Sequence, residues 1–187
     1  MGRTKLTLTL IALVVGLIAL GGQFRGGTSA AAPLAGQHVN NDYRGGSSFD
    51  LAGAGPNVAR CGAFPQFVEL SFTGSGIDTE GGYNTAVFSA CTNTTTNLVF
   101  DLKAEDTYAQ TGDKVFIEGD AFVLEPNLDI CAATNARGVR FRVTGGTGGH
   151  AGATGHGRFD IYSNLTPCNG LTVAAHVSFE GLIKVPN

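Results

Sequence analysis

Residues 171–185 alternate strictly: Leu171, Val173, Ala175, Val177, Phe179, Gly181, Ile183 and Val185 form one set, and Thr172, Ala174, His176, Ser178, Glu180, Leu182 and Lys184 the other. A helix would scatter the first set around its circumference, whereas a strand collects it on one face. The same period of two recurs at Val68, Leu70 and Phe72, at Leu98, Phe100 and Leu102, and at Val139, Phe141 and Val143. Segments 106–110, 114–118 and 120–125 add short strands, divided by Gly112-Asp113 and Gly119-Asp120, pairs that suit turns. The count reaches eight or nine strands, with no 12-residue amphipathic helix and with 22 Gly after residue 30 to supply turns. The pattern predicts an all-β fold, an antiparallel β-barrel or a β-sandwich. The aromatic residues are 12 Phe and four Tyr with no Trp, which suits a packed wall better than a sugar-stacking platform.

The chain starts differently. A basic stretch with Arg3 and Lys5 precedes the apolar run 6–20, and small residues follow at 28–32. This is the layout of a cleaved signal peptide over 1–30. The run is shorter than the ~20 residues that cross a bilayer, so no stable membrane span is expected after cleavage. The expected location is secreted, periplasmic or at the cell surface. Residues 31–57, mostly small and polar, read as a flexible lead-in, and 58–187 as a single barrel domain. From Ala31 onward, nine Lys and Arg face 15 acids. That surplus of negative charge argues against nucleic acid as a partner.

Cys61, Cys91, Cys131 and Cys168 all follow the leader, in a compartment where disulfides persist. Their wide spacing lacks the close ligand pairs of a zinc site, so two disulfides and no metal are expected. Three pairings are open. Cys61 and Cys91 flank a candidate hairpin of 66–73 and 84–90, and Cys131 and Cys168 flank one of 138–144 and 158–163. This symmetry favours Cys61 with Cys91 and Cys131 with Cys168.

The most distinctive segment is 145–157, with seven Gly in thirteen positions and His150 and His156 among them. It has no Lys for a Walker loop, no following helix for a dinucleotide fingerprint and no Asp for a calcium-binding repeat. It reads as an irregular turn, with both histidines as surface residues. Gly-Gly-Thr-Gly at 145–148 followed by Ala-Gly-Ala-Thr-Gly at 151–155 resembles the turn of small secreted bacterial proteins with an allene oxide cyclase-like barrel, and plant dirigent proteins carry a related turn. Phe72 to Gly76, Thr111-Gly-Asp113 and Phe179-Glu-Gly-Leu-Ile183 are similar as well. The resemblance spans about residues 66–183 and implies an eight-stranded antiparallel β-barrel of bacterial origin. The family's Arg-Phe is replaced by Gly149-His150, so the ring that packs beside the turn is expected to be missing. No catalytic residue carries over, and fold alone does not assign an activity.

Candidate site residues come from the polar faces of strands. Arg140 and Arg142 share a face, which holds a carboxylate if it lines a cavity and pairs with Asp160 in solvent if it faces outward. His176 shares a face with Glu180, and Asp160 and Tyr162 can join it in an acid/base set. Arg140, Arg142, Tyr162 and His176 are therefore the candidate ligand contacts. Glu69, Asp78 and Glu80 read as turn and surface carboxylates rather than a glycosidase pair. Asn93-Thr94-Thr95 and Asn164-Leu165-Thr166 are glycosylation sequons, informative only in a eukaryotic host. No cofactor motif, nucleophile elbow or metal motif is present. The expected function is non-enzymatic, binding a small apolar ligand or serving a surface-structural role. The alternative is a cyclase or isomerase of the allene oxide cyclase or dirigent kind, acting on an apolar substrate. Oligomeric state is left open.

Overall fold

Ten strands follow one another along the chain in the computed structural model, which describes residues 39–136, 138–165, 168 and 172–186. The expected signal peptide lies outside the described residues. The strands are β1 (Val39–Gly55), β2 (Phe67–Asp78), β3 (Gly82–Asn93), β4 (Leu98–Tyr108), β5 (Lys114–Gly119), β6 (Phe122–Asn127), β7 (Ala132–Asn135), β8 (Val139–Gly146), β9 (Thr154–Leu165) and β10 (Thr172–Val185). All pairings are antiparallel, and β9 pairing with β10 closes the ring.

The ring has eight positions because two of its members are broken strands. β5 pairs with Leu102–Thr107 of β4, while β6 pairs with Leu98 and Val99 of the same strand. On the other side, β8 pairs with residues 155–159 of β9 and β7 with residues 162–164. Thus β5 and β6 make one wall position in two storeys, and β7 and β8 the next. The expected eight-stranded barrel is what forms, and closure gives each of the ten described strands a neighbour on both sides over at least part of its length. One face of each strand supplies the core, which includes Phe49, Leu70, Phe72, Phe88, Leu102, Phe141 and Ile161.

Three expectations need correction. The lead-in assigned to 31–57 contains β1, which sits between β10 and β2 in the wall. Its buried face carries Tyr43, Ser47 and Phe49, with Gly45 between the first two. A methyl on Gly45 would meet the Phe179 ring at 2.7 Å, so close packing selects a residue that adds nothing to an apolar pattern. The second correction concerns β4, where Leu98, Phe100 and Leu102 do not share the inner face. Asp101 adopts a left-handed backbone (φ 49°), and the ladder with β3 shifts register between Ser89 and Cys91. Val99 and Leu102 are buried as a result. Phe100 meets Phe67 edge-on, with ring centroids 5.9 Å apart. A bulge of this kind resets the two-residue phase.

The third correction lies in the Gly-rich turn. His150 is not a surface residue; its imidazole lies 4.9 Å from the Tyr108 ring, with its Nε2 3.6 Å from Glu80 Oε1. A ring does pack beside the turn, supplied by histidine in place of phenylalanine. The turn is held by Asp113, whose Oδ2 accepts the Gly149 N–H at 3.0 Å. Gly148, at φ +56°, leaves no room for a Cβ beside that carboxylate.

The disulfides are Cys61–Cys91 and Cys131–Cys168, as the hairpin symmetry favours. The first fastens the segment ahead of β2 onto β3. Arg60, next to it, donates from Nε to Asp101 Oδ2 at 2.6 Å and from Nη1 to Ser89 Oγ at 2.8 Å, and also pairs with Glu69. Asn93, in the first sequon, is buried, and its Oδ1 accepts the N–H groups of Thr95 and Thr96 at the turn into β4.

Candidate functional site

Side-chain volume inside the barrel is distributed unevenly along its axis. At the end reached by β5, β8 and the Gly-rich turn, the rings of Tyr43, Phe141 and Phe179 interlock, with centroid separations from 4.7 to 6.4 Å. At the end walled by β6 and β7, small residues replace them. Ala175, Ser163 and Ala133 stand opposite one another on the adjacent strands β10, β9 and β7, and Ala90 faces in from β3. The space these side chains do not fill is a cavity of about 440 Å³. Phe72, Phe88, Leu102, Phe122 and Ile161 form much of its wall, and Thr94, Asn97, Pro126 and Leu128 lie at its exposed end. The Cys131–Cys168 disulfide lies close by in the chain, three residues beyond Leu128.

Polar groups in this cavity are few. Among the described residues, no Asp, Glu, Lys, Arg or His lines it. Ser163, fully buried, and Thr92 each present a buried hydroxyl with no hydrogen-bond partner among the described residues. They stand on opposite walls, β3 and β9 being four positions apart round the ring.

A smaller cavity of about 70 Å³ continues towards the ring-filled end and shares Phe88, Leu102 and Ile161 with the larger one. Tyr43, Ser47 and Asp106 are its polar members. Tyr43 donates to Asp106 Oδ2 at 2.9 Å. Burial raises the Asp106 carboxyl to about 6; the Tyr43 hydrogen bond opposes that rise and the nearby Asp78 charge adds to it. Burial also pushes Tyr43 well above the ordinary phenol range. Beyond this pair, Asp78 Oδ2 accepts from Tyr108 at 3.1 Å and Asn84 at 3.0 Å, while its Oδ1 accepts the N–H groups of Glu80 and Gly81. Burial raises Asp78 as well, against these hydrogen bonds. Asp78 thus organises the β2–β3 turn from within.

The four side chains singled out from the sequence lie elsewhere, all exposed on the outer surface. Tyr162 and His176 are brought together as cross-strand partners on β9 and β10, and Ser48 Oγ lies 3.1 Å from His176 Nδ1. Arg140 and Arg142 stand on β8, opposite Arg158 and His156. Arg142 pairs with Glu118 of β5 at 2.5 Å rather than with Asp160, which accepts the Gly138 N–H at 2.9 Å. The reason is register: Glu118 is the direct β5 partner of Arg142, while Asp160 lies two residues along from Arg158. Sequence reasoning did not single out Ser163, Thr92, Tyr43 or Asp106. The available signal was their place on the inner phase of strands, next to Ile161, Ala90 and Ala104.

No protein-family model and no curated protein sequence matches the chain. Among solved structures, a pterocarpan synthase dirigent protein is similar at 10% identity and a TM-score of 0.48, covering 81% of this chain and 88% of that one.

Proposed function

We propose that the protein is an exported, disulfide-stabilised barrel that holds a small apolar molecule in its interior without transforming it. The observation that carries this reading is the cavity of about 440 Å³ formed where Ala90, Ala133, Ala175 and Ser163 replace larger side chains. That volume is within the range of small-molecule sites, and its wall is mostly aliphatic and aromatic. Folding gains less from a barrel interior left unfilled than from one packed at crystal density, so keeping the space needs another benefit. The leader-like sequence at 1–30 and the two disulfides support export. The resemblance of the Gly-rich turn to allene oxide cyclase-like and dirigent barrels supports a bacterial exported barrel with an apolar guest.

The test is titration with N-phenyl-1-naphthylamine, a neutral probe whose emission rises on leaving water. One probe per barrel is expected, with binding abolished in Ala133→Phe, which fills the cavity from β7. Equal binding by wild type and this variant would refute the reading. Native mass spectrometry of protein purified without denaturant, followed by organic extraction, then identifies the natural guest.

One observation favours a second reading, a cyclase or isomerase. Asp106, with its carboxyl raised to about 6 and its Tyr43 partner, lines the smaller cavity at the inner end of the larger one. A carboxyl that exchanges its proton near neutral pH suits general acid–base work on an apolar substrate. In this reading Asp106→Asn abolishes turnover while probe binding persists.

A further inference from the structure

Two carboxylates, Asp78 and Asp106, are buried inside the barrel, and they are served unequally. Asp78 accepts four hydrogen bonds, from Tyr108, Asn84 and the Glu80 and Gly81 N–H groups. Asp106 accepts one, from Tyr43 to Oδ2. We infer that the barrel's guest carries a protonated nitrogen on a short chain, bonded by Asp106 at the inner end of the cavity, while its apolar body fills the larger space. The inference rests on the cavity reading above and specifies the class of molecule held there. It gives Asp106 a binding role that needs no turnover.

Access is the first requirement. Among the described residues, four side-chain polar atoms are sealed in without a partner: Asn84 Oδ1, Thr92 Oγ1, His150 Nδ1 and Ser163 Oγ. Asp106 Oδ1 also lacks a donor but is not one of these sealed atoms, and Asp106 keeps 4% of its surface open. The residue lines the smaller cavity, which is the space that the open oxygen meets. Ser47 lines the same cavity and offers a second oxygen to an ammonium with several protons to place.

Size and charge narrow the guest. Asp106 lies four residues beyond Leu102 on β4, roughly 13 Å along the strand, and Leu102 is shared by the two cavities. A space of about 70 Å³ admits a short chain and an ammonium and leaves a ring-containing body in the larger cavity. Among the described residues, no Lys, Arg or His lines either cavity, and the nearby Asp78 charge adds to that of Asp106. A buried carboxylate without a counter-charge is costly to keep. A guest ammonium supplies both the missing charge and a charge-assisted hydrogen bond, whereas a guest carboxylate meets like charge.

The probes are 4-phenylbutylamine, 4-phenylbutan-1-ol and 4-phenylbutanoate, alike in body and chain and different in head charge. Each competes with N-phenyl-1-naphthylamine for the full-length exported protein at pH 7.5. The amine should bind about tenfold more tightly than the alcohol, and the carboxylate more weakly than the alcohol. In Asp106→Asn the amine should fall to the level of the alcohol, while the alcohol and the fluorescent probe bind as before. Lowering the pH from 7.5 to 5 protonates Asp106 through about 6 while a primary amine stays charged, so wild type should lose about tenfold for the amine and nothing for the alcohol. The groups facing Asp106 are Tyr43 from β1 and Asp78 from β2, with Tyr108, Glu80 and His150 beyond; Asp106→Asn keeps them all, so only the wild-type excess counts. From β5, β8, β9 and β10 only apolar side chains, such as Ile117, Phe141, Phe159 and Phe179, face the smaller cavity. An amine preference that persists in Asp106→Asn would overturn the assignment, placing the cation at the exposed end instead. Equal binding of amine and alcohol by wild type would overturn it as well. Failure of N-phenyl-1-naphthylamine to bind at all, or binding that survives Ala133→Phe, would instead remove the cavity reading beneath it.

Discussion

Asp106→Asn tests the buried end of the barrel quantitatively. Asp106 is only 4% exposed and holds one strong hydrogen bond, from Tyr43 at 2.9 Å. Its carboxyl is raised from 3.8 to about 6. A raised folded-state pKa means that the native state favours the protonated acid more than the unfolded chain does. The resulting stability is fully present below pH ~4 and is lost as pH rises through ~6. The gap between the two values is worth roughly 3 kcal/mol at neutral pH, a large part of the stability of a domain this size. Asparagine keeps an acceptor for the Tyr43 hydroxyl and cannot ionise. The variant should therefore match wild type near pH 4 and be the more stable by roughly 2–3 kcal/mol at pH 7. The assay is urea unfolding at half-unit steps from pH 4 to 7.5 with both disulfides intact. Comparing the two proteins isolates Asp106 from every titration they share. Parallel stability curves, differing by a constant within about 0.5 kcal/mol, would refute the buried-acid account.

Three further substitutions probe what holds the wall together. Arg60→Ala should cost about 2–3 kcal/mol at neutral pH, because it strips ion-paired hydrogen bonds from Glu69 and Asp101 and the guanidinium's bond to the neutral Ser89 hydroxyl. Asp101 is held below the usual carboxylate range by Arg60, and Glu69 by Asn57 first and then Arg60, so the penalty should shrink as pH falls below ~4 in urea melts. Gly157→Ala puts a methyl into the Phe141 ring and the Glu180 carbonyl and should cost about 1–3 kcal/mol; an unchanged melting temperature would contradict that packing. Replacing Cys61 and Cys91 together by Ser opens a loop with 30 residues of separation and should cost about 3–4 kcal/mol. Unfolding at the same urea concentration as wild type would show that Arg60 alone secures that segment.

Most of the wall was legible because inner and outer faces differ in chemistry along β2, β8, β9 and β10. Legibility failed where packing demanded small or exceptional residues. In β1 the inner positions run Tyr43, Gly45, Ser47, Phe49, and the ring of Phe179 on the neighbouring strand β10 fills what Gly45 leaves. The apolar partner of each small residue lies on another strand, out of reach of a one-strand pattern. In β4 the phase error came from one residue, Asp101, whose left-handed backbone is offset by its bonds to Arg60. The anchoring arginine lies 41 residues earlier, so nothing local to β4 announces the bulge.

The candidate site was harder to read because a cavity is a deficit of volume. Ala133, Ser163 and Ala175 are ordinary residues within their own strands; they open a space only because the register of β7, β9 and β10 sets them side by side. Sequence inspection went instead to charged and titratable side chains, and the barrel turns Arg140, Arg142, Tyr162 and His176 outward, where hydration and cross-strand neighbours satisfy them. An inner wall costs least when it is apolar, so the small residues that register sets side by side on it, as Ala133 and Ala175 stand beside Ser163, weigh more in locating a cavity than any polar group. Polarity on the outer face carries no such weight, since a hydroxyl or guanidinium in water is already satisfied. For a barrel of this kind, the residues most informative about function are the small ones on the inner phase, and reading them requires strand register before chemistry.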